Sequence, residues 1–167
     1  PLVANFTMIG CGLSSCVGAS GGHGMMLRRG TGGYYVNGVV ARFPTDGISL
    51  RDQATYDRAG ATPTPSATAD LQLRNIFFAE VNAKLFQTPN GTSQFELDST
   101  TNNLKLSTAT AASIFTTIPA VGTAPTDIAS FDFTPAADSP IATGGLNAFA
   151  GAIATKAGTF VTATAYQ

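Results

Sequence analysis

The stretch Gly24–Asp52, GMMLRRGTGGYYVNGVVARFPTDGISLRD, decides the fold. Its opening segment, Gly24-Met25-Met26-Leu27-Arg28-Arg29, returns as Gly47-Ile48-Ser49-Leu50-Arg51-Asp52, and the two share the pattern G-apolar-x-Leu-Arg. Between them lies a second strand pattern, Tyr35-Val36-Asn37-Gly38-Val39-Val40-Ala41. It is echoed upstream by Ala4-Asn5-Phe6-Thr7-Met8-Ile9 and downstream by Arg74-Asn75-Ile76-Phe77-Phe78-Ala79. Two strand types that alternate across glycine-rich corners predict a coiling chain, with like strands stacked on like. Met25 is then expected beside Ile48 and Leu27 beside Leu50. Phe6, Gly38 and Ile76 share one column, and Met8, Val40 and Phe78 another, with successive coils about 4.8 Å apart. Asn5, Asn37 and Asn75 also align. Stacked asparagines can hydrogen-bond along such a column; the other reading is three unrelated turn asparagines.

Working outward, the 167 residues suit one domain, 1–167, with a core of its own. Hydrophobic residues make up 44% of the chain and charged residues only 11%, so Thr, Ser, Asn and Gly must cover the surface. That balance favours β structure over a helical bundle, whose outer faces need charge. The formal net charge of −1 supplies no basic stripe for nucleic acid. No apolar run reaches the roughly 20 residues of a membrane-spanning helix.

Residues 1–98 read as the regular coils, with the polar stretch 53–68 (QATYDRAGATPTPSAT) expected as a loop leaving the wall. From about residue 99 the repeat fades, and Ser107 to Thr117 fits a strand or a short helix. Cys11 and Cys16 flank a short loop, CGLSSC. Neither CxxC spacing nor a second ligand cluster accompanies them, so they are read as a disulfide-closed loop or as two buried thiols. Asn5-Phe6-Thr7 and Asn90-Gly91-Thr92 are glycosylation sequons, a pattern that also occurs by chance.

The segments N-F-T-M-I-G, G-x-x-L-R-x-G and N-I-F-F-A-E resemble coils of right-handed parallel β-helix proteins of bacterial surfaces and secretions. Residues 133–145, FTPAADSPIATGG, resemble the endings that follow the last coils of such proteins. The resemblance implies an all-β fold, a right-handed parallel β-helix (β-solenoid), here expected as the C-terminal coils of a longer chain. It implies an extracellular or cell-surface setting and no single activity. An antiparallel β-sandwich is the alternative fold, because alternating strands and turns fit it too. Gly22-His23-Gly24 is also similar to the glycine-histidine-glycine motif of polygalacturonases. Only His23 carries over from that family. Its aspartate motifs and its Arg-x-Lys motif have no counterpart here, and a glycosidase needs two carboxyl groups about 5–10 Å apart.

Among the charges, Arg28 and Arg51 are expected side by side on neighbouring coils, where like charges repel. Either the pair holds an anionic group such as a uronate, through the guanidinium fork, or Asp46, Asp52 and Glu80 neutralise it. Arg29 over Asp52 and Arg42 over Glu80 offer opposite-charge stacking. Tyr34, beside Tyr35, is a candidate sugar platform. The candidate ligand-binding set is thus Arg28, Arg51, Tyr34 and His23, with no catalytic residue, metal site or cofactor assigned. The expected role is a non-catalytic structural or adhesive element whose partners are other coils, further copies or an envelope component. A pectinase-like fragment and a polysaccharide-binding module stand as the alternatives.

Overall fold

Runs rich in β-branched and aromatic residues form strands, and equivalent runs lie side by side. A computed structural model of the chain describes residues 1–16, 22–59, 70–81, 86–87, 103–122 and 128–146. Strands β1 (Leu2–Ile9), β3 (Gly33–Ala41), β5 (Leu71–Ala79) and β7 (Leu104–Ser107) pair in that order in one sheet. A second sheet is made of β2 (His23–Leu27), β4 (Asp46–Leu50) and β6 (Phe86–Gln87). Every pairing in both sheets is parallel. Met25 pairs with Ile48 and Leu27 with Leu50. Phe6, Gly38, Ile76 and Leu104 form one column, and Met8, Val40, Phe78 and Leu106 another. The antiparallel pairing of a sandwich occurs, among the described residues, only between β8 (Phe115–Thr117) and β9 (Asp132–Pro135).

The asparagines set the shape of the first sheet. Asn5, Asn37, Asn75 and Asn103 have φ of 52° to 54°, the left-handed region that asparagine tolerates better than most residues. In β5, Leu71 and Leu73 face the inner core ahead of Asn75, and Ile76 and Phe78 face it afterwards. A regular strand alternates with period two, so the step from 73 to 76 needs an extra residue. Asn75 supplies it and turns the strand; Asn37 does the same in β3. Gly38 follows that turn. A Cβ there would stand 2.2 Å from the Phe6 ring, so the missing side chain makes room for the aromatic of the neighbouring strand.

The turn creates two cores. Met25, Leu27, Val40, Ile48, Leu50, Ile76 and Phe78 fill the space between the sheets. Val39, Ala41, Phe77 and Ala79 face the other way and pack under Ala111, Ile114, Phe115 and Ile141. Full burial of one such large side chain contributes about 1.5–3 kcal/mol, so the covering segment is integral to the sheet. It includes α2 (Ala111–Ile114) and β8, which resolves the stretch 107–117 into strand end, short helix and strand.

Part of the polar stretch expected to be a loop over 53–68 is helical. Gln53–Arg58 form helix α1, capped by Asp52, whose Oδ1 accepts from the Thr55 N–H at 2.9 Å. An aspartate at that position satisfies an otherwise orphaned N–H of the first turn. Tyr56 anchors the helix by packing into the inner core and donating its hydroxyl to Leu50 O at 3.0 Å. Residues 60–69 lie outside the described residues, as do Asn90 with its sequon and the C-terminal stretch from 147. Parallel stacking also runs past residue 98, where the sequence repeat fades, because β7 extends the first sheet.

Candidate functional site

Two polar constellations are built by the stacking. The first begins where β2 and β4 start in register, His23 beside Asp46. His23 Nδ1 lies 2.8 Å from Asp46 Oδ2, and these side chains are only 6% and 2% exposed. The Arg51 guanidinium reaches the other ring nitrogen, with Nη2 2.8 Å from Nε2. A guanidinium only donates, so Nε2 must accept and Nδ1 carries the hydrogen shared with Asp46. Both ring nitrogens are therefore engaged. The arrangement orients a buried imidazole and ties two strands together; neither nitrogen is open to a substrate proton or a metal. Arg51 Nε and, elsewhere on β4, Ser49 Oγ are buried without a hydrogen-bond partner among the described residues.

Arg51 thus turns away from the stacked pair expected with Arg28. Arg28 stays exposed, its backbone N–H and C=O tied to the Thr31 hydroxyl. Turning one guanidinium inward separates two like charges that the register would set side by side. Arg29 and Gly30 both have positive φ, and the concavity of N–H groups they form is filled by the chain's own Asp52. The hydrogen bond from the Arg29 N–H, the largest influence, outweighs the opposing desolvation and, with further hydrogen bonds from Thr55, holds the Asp52 carboxyl below the usual carboxylate range. Asp46 faces histidine and Asp52 caps a helix, so each of the first two carboxylates after His23 in the sequence is committed to a partner within the fold. Among the described residues no group of three or more His, Cys, Asp or Glu is placed to hold a metal ion.

At the far end of the first sheet, Arg42 Nε meets Glu80 Oε2 at 3.2 Å, and the same oxygen accepts from the Ala111 N–H at 2.7 Å. Arg42 also donates to Pro119 O. This knot fastens the covering segment to the ends of β3 and β5. Tyr34 is half-buried on β3, and no hydrogen bond or ring contact joins it to His23 or the arginines. Burial pushes the neighbouring Tyr35 hydroxyl up from its ordinary value, and its ring packs against the inner core. The four residues put forward as a ligand set therefore divide: His23 and Arg51 meet, while Arg28 and Tyr34 stand apart from them.

The second constellation is the file of asparagines. Asn37 Nδ2 donates to Asn5 Oδ1 at 3.1 Å, Asn75 Nδ2 to Asn37 Oδ1 at 2.7 Å, and Asn103 Nδ2 to Asn75 Oδ1. Residues 144–146 cover the file: Asn37 Nδ2 also donates to Leu146 O at 2.7 Å, its Oδ1 accepts from the Leu146 N–H, and Asn75 Nδ2 donates to Gly144 O. Asn103 is the member that sequence reasoning missed. Its signal was present, since Asn103-Leu104-Lys105-Leu106 repeats the Asn-apolar-x-apolar order of Asn5, Asn75 and their followers. Cys11 and Cys16 are joined in a disulfide. The loop they close docks on the covering segment, where the Gly122 N–H donates to Cys11 O at 2.8 Å. No protein family, no curated protein and no solved structure matches this chain.

Proposed function

We propose that this chain is a non-catalytic structural or adhesive element of the cell exterior, built as a right-handed parallel β-helix. The observation that carries this reading is the asparagine file within parallel, in-register strands, which fits a wall made by stacking one coil on the next. Such a wall suits mechanical and adhesive work, because each strand's backbone groups bond to its neighbours along the stack. The Cys11–Cys16 disulfide supports an oxidising compartment. The engaged state of His23, Asp46 and Asp52 supports a role other than hydrolysis, since each is committed to a partner within the fold.

Incubation with polygalacturonate and alginate, followed by reducing-end assay and a glycan array, tests the reading. The expected outcome is no turnover and no saturable capture of a single glycan. Release of reducing ends above the blank overturns it in favour of a pectinase-like enzyme. Saturable binding that Arg28→Ala abolishes would instead make the chain a polysaccharide-binding module.

A further inference from the structure

His23 is the chain's single histidine, and its ring stands between a carboxylate and a guanidinium. Nδ1 gives its hydrogen to Asp46, which has a further interaction besides this one. Nε2 offers its lone pair to Arg51. That lone pair is also where the neutral ring takes up a proton. Proton and guanidinium therefore compete for one pair of electrons. An imidazolium donates from both nitrogens, so it has nothing to offer Arg51 and repels it by like charge. Little else holds the guanidinium in place. Its Nε is buried without a hydrogen-bond partner, and among the described residues the bond to His23 is the only one its side chain makes. Asp46 stays with the ring, because its hydrogen bond from Nδ1 becomes an ion pair.

The surroundings leave the outcome to these three side chains. β4 and the residue after it contribute Asp46 and Arg51. β6 (Phe86–Gln87) brings no titratable residue. Next to His23, a Cβ on Gly24 would meet Val40 and Phe43, both apolar. Arg42, beside Phe43 in the chain, is turned to Glu80 and Pro119. From α1, Tyr56 donates its hydroxyl to Leu50 O, and Asp52 caps the helix. No further hydrogen bond or ion pair reaches the His23 ring among the described residues.

From this geometry we propose that His23 is a proton-operated latch: a proton taken from solvent onto Nε2 expels the Arg51 guanidinium, which swings out to the face where Arg28 stands. The guanidinium keeps its own charge throughout. Arg51 continues the pairing of β4 on β2, its N–H donating to Leu27 O, so the freed side chain lies at the place equivalent to exposed Arg28. Acid thus presents two neighbouring guanidiniums where neutral solution presents one.

The test is nuclear magnetic resonance of the full chain from pH 8 downward, through the range in which histidine changes charge. The single imidazole identifies itself. Hydrogen exchange at the Arg51 Nε–H reports the latch, with exposed Arg28 as the reference. The ratio of the Arg28 rate to the Arg51 rate should fall by about tenfold or more, with the same midpoint as the ring and an unchanged circular dichroism spectrum. Arg51→Gln supplies an amide that can face a bare or a protonated nitrogen. Its ring should titrate about one pH unit higher than in the wild type, because the opposing cation is gone. Asp46→Asn keeps the acceptor for Nδ1 but not the charge, and should move the midpoint the other way. A ring that titrates while the exchange ratio stays flat overturns the proposal. So does an Arg51→Gln midpoint at or below that of the wild type, or a chain that unfolds before the ring protonates.

Discussion

Asn5, Asn37, Asn75 and Asn103 occupy one position of the first sheet, and Arg28 and Arg51 follow β2 and β4 at equivalent positions of the second. The amides join one another from strand to strand, whereas the guanidiniums part company. The difference lies in the chemistry of the groups. A carboxamide carries donor and acceptor together, so copies of it can stack without limit; a guanidinium only donates, and its copies repel. Repetition in this chain is therefore self-supporting where the repeated group is neutral and two-sided. Where it is charged, the repeat diverts, and Arg51 finds an acceptor in His23.

The sharpest break in this contrast is at Asn75, in the middle of the file. Asn75→Ala removes the donor to Asn37 and Gly144 and the acceptor for Asn103, within a buried site. Stranded polar groups and an alanine forced to positive φ should together cost about 3 kcal/mol in chemical denaturation. Asn75→Gly separates the two causes. It loses the same hydrogen bonds but adopts the backbone freely, and should recover about 1 kcal/mol of that loss. Equal midpoints for the two variants would show that the conformation at this residue carries no cost.

The second effect is at the diverted arginine's acceptor. His23→Leu takes the ring N–H from Asp46, which is nearly fully buried, and the acceptor from Arg51. About 2 kcal/mol of destabilisation is expected from leaving two buried groups short of a partner. Arg51→Ala, which strands only the ring Nε2, should cost about 1 kcal/mol. A larger loss for Arg51→Ala than for His23→Leu would reverse the reading of which group organises the cluster.

What was legible in the sequence divides along similar lines. The shared G-apolar-x-Leu-Arg pattern gave the register of β2 on β4, because inward positions repeat in kind. Extending that repeat one residue back would have set His23 beside Asp46; the unlike residues hid the equivalence. Lys105, an exposed position between Leu104 and Leu106, likewise disguised β7. The outer burial of Val39 and Phe77 could not be read at all. Their alternation with inward residues looks like a strand buried on both faces, and the Ala/Thr-rich 107–118 region that covers them carries no period of its own. Pro63 and Pro65 gave the whole polar insertion the look of a loop, although Gln53–Arg58 hold no helix breaker and follow a good cap.

A smaller effect follows from that cap. Folding holds the Asp52 carboxyl below its unfolded value, so its contribution is complete above about pH 4 and is lost as the pH falls through the folded pKa. Asp52→Asn keeps an acceptor for the Thr55 N–H but cannot titrate. Between pH 5 and 2 the wild type should therefore lose more stability than Asp52→Asn, and the two curves should converge at the acid end. Parallel curves would mean that the carboxylate is as well placed in the unfolded chain.

The smallest effect belongs to the arginine that found no acceptor. Arg28 is exposed, and its guanidinium makes no hydrogen bond or ion pair among the described residues. Truncation to alanine should move the denaturation midpoint by no more than about 0.5 kcal/mol, the range of surface substitutions that break nothing. Set against the larger cost of Arg51→Ala, this measures the asymmetry directly: two residues at equivalent places in a repeat, one bound into the fold and one left to solvent. A substantial loss at Arg28 would mean that its side chain also has a partner within the wall. The two guanidiniums would then be equivalent after all, and charge repulsion would not be what sends Arg51 to His23.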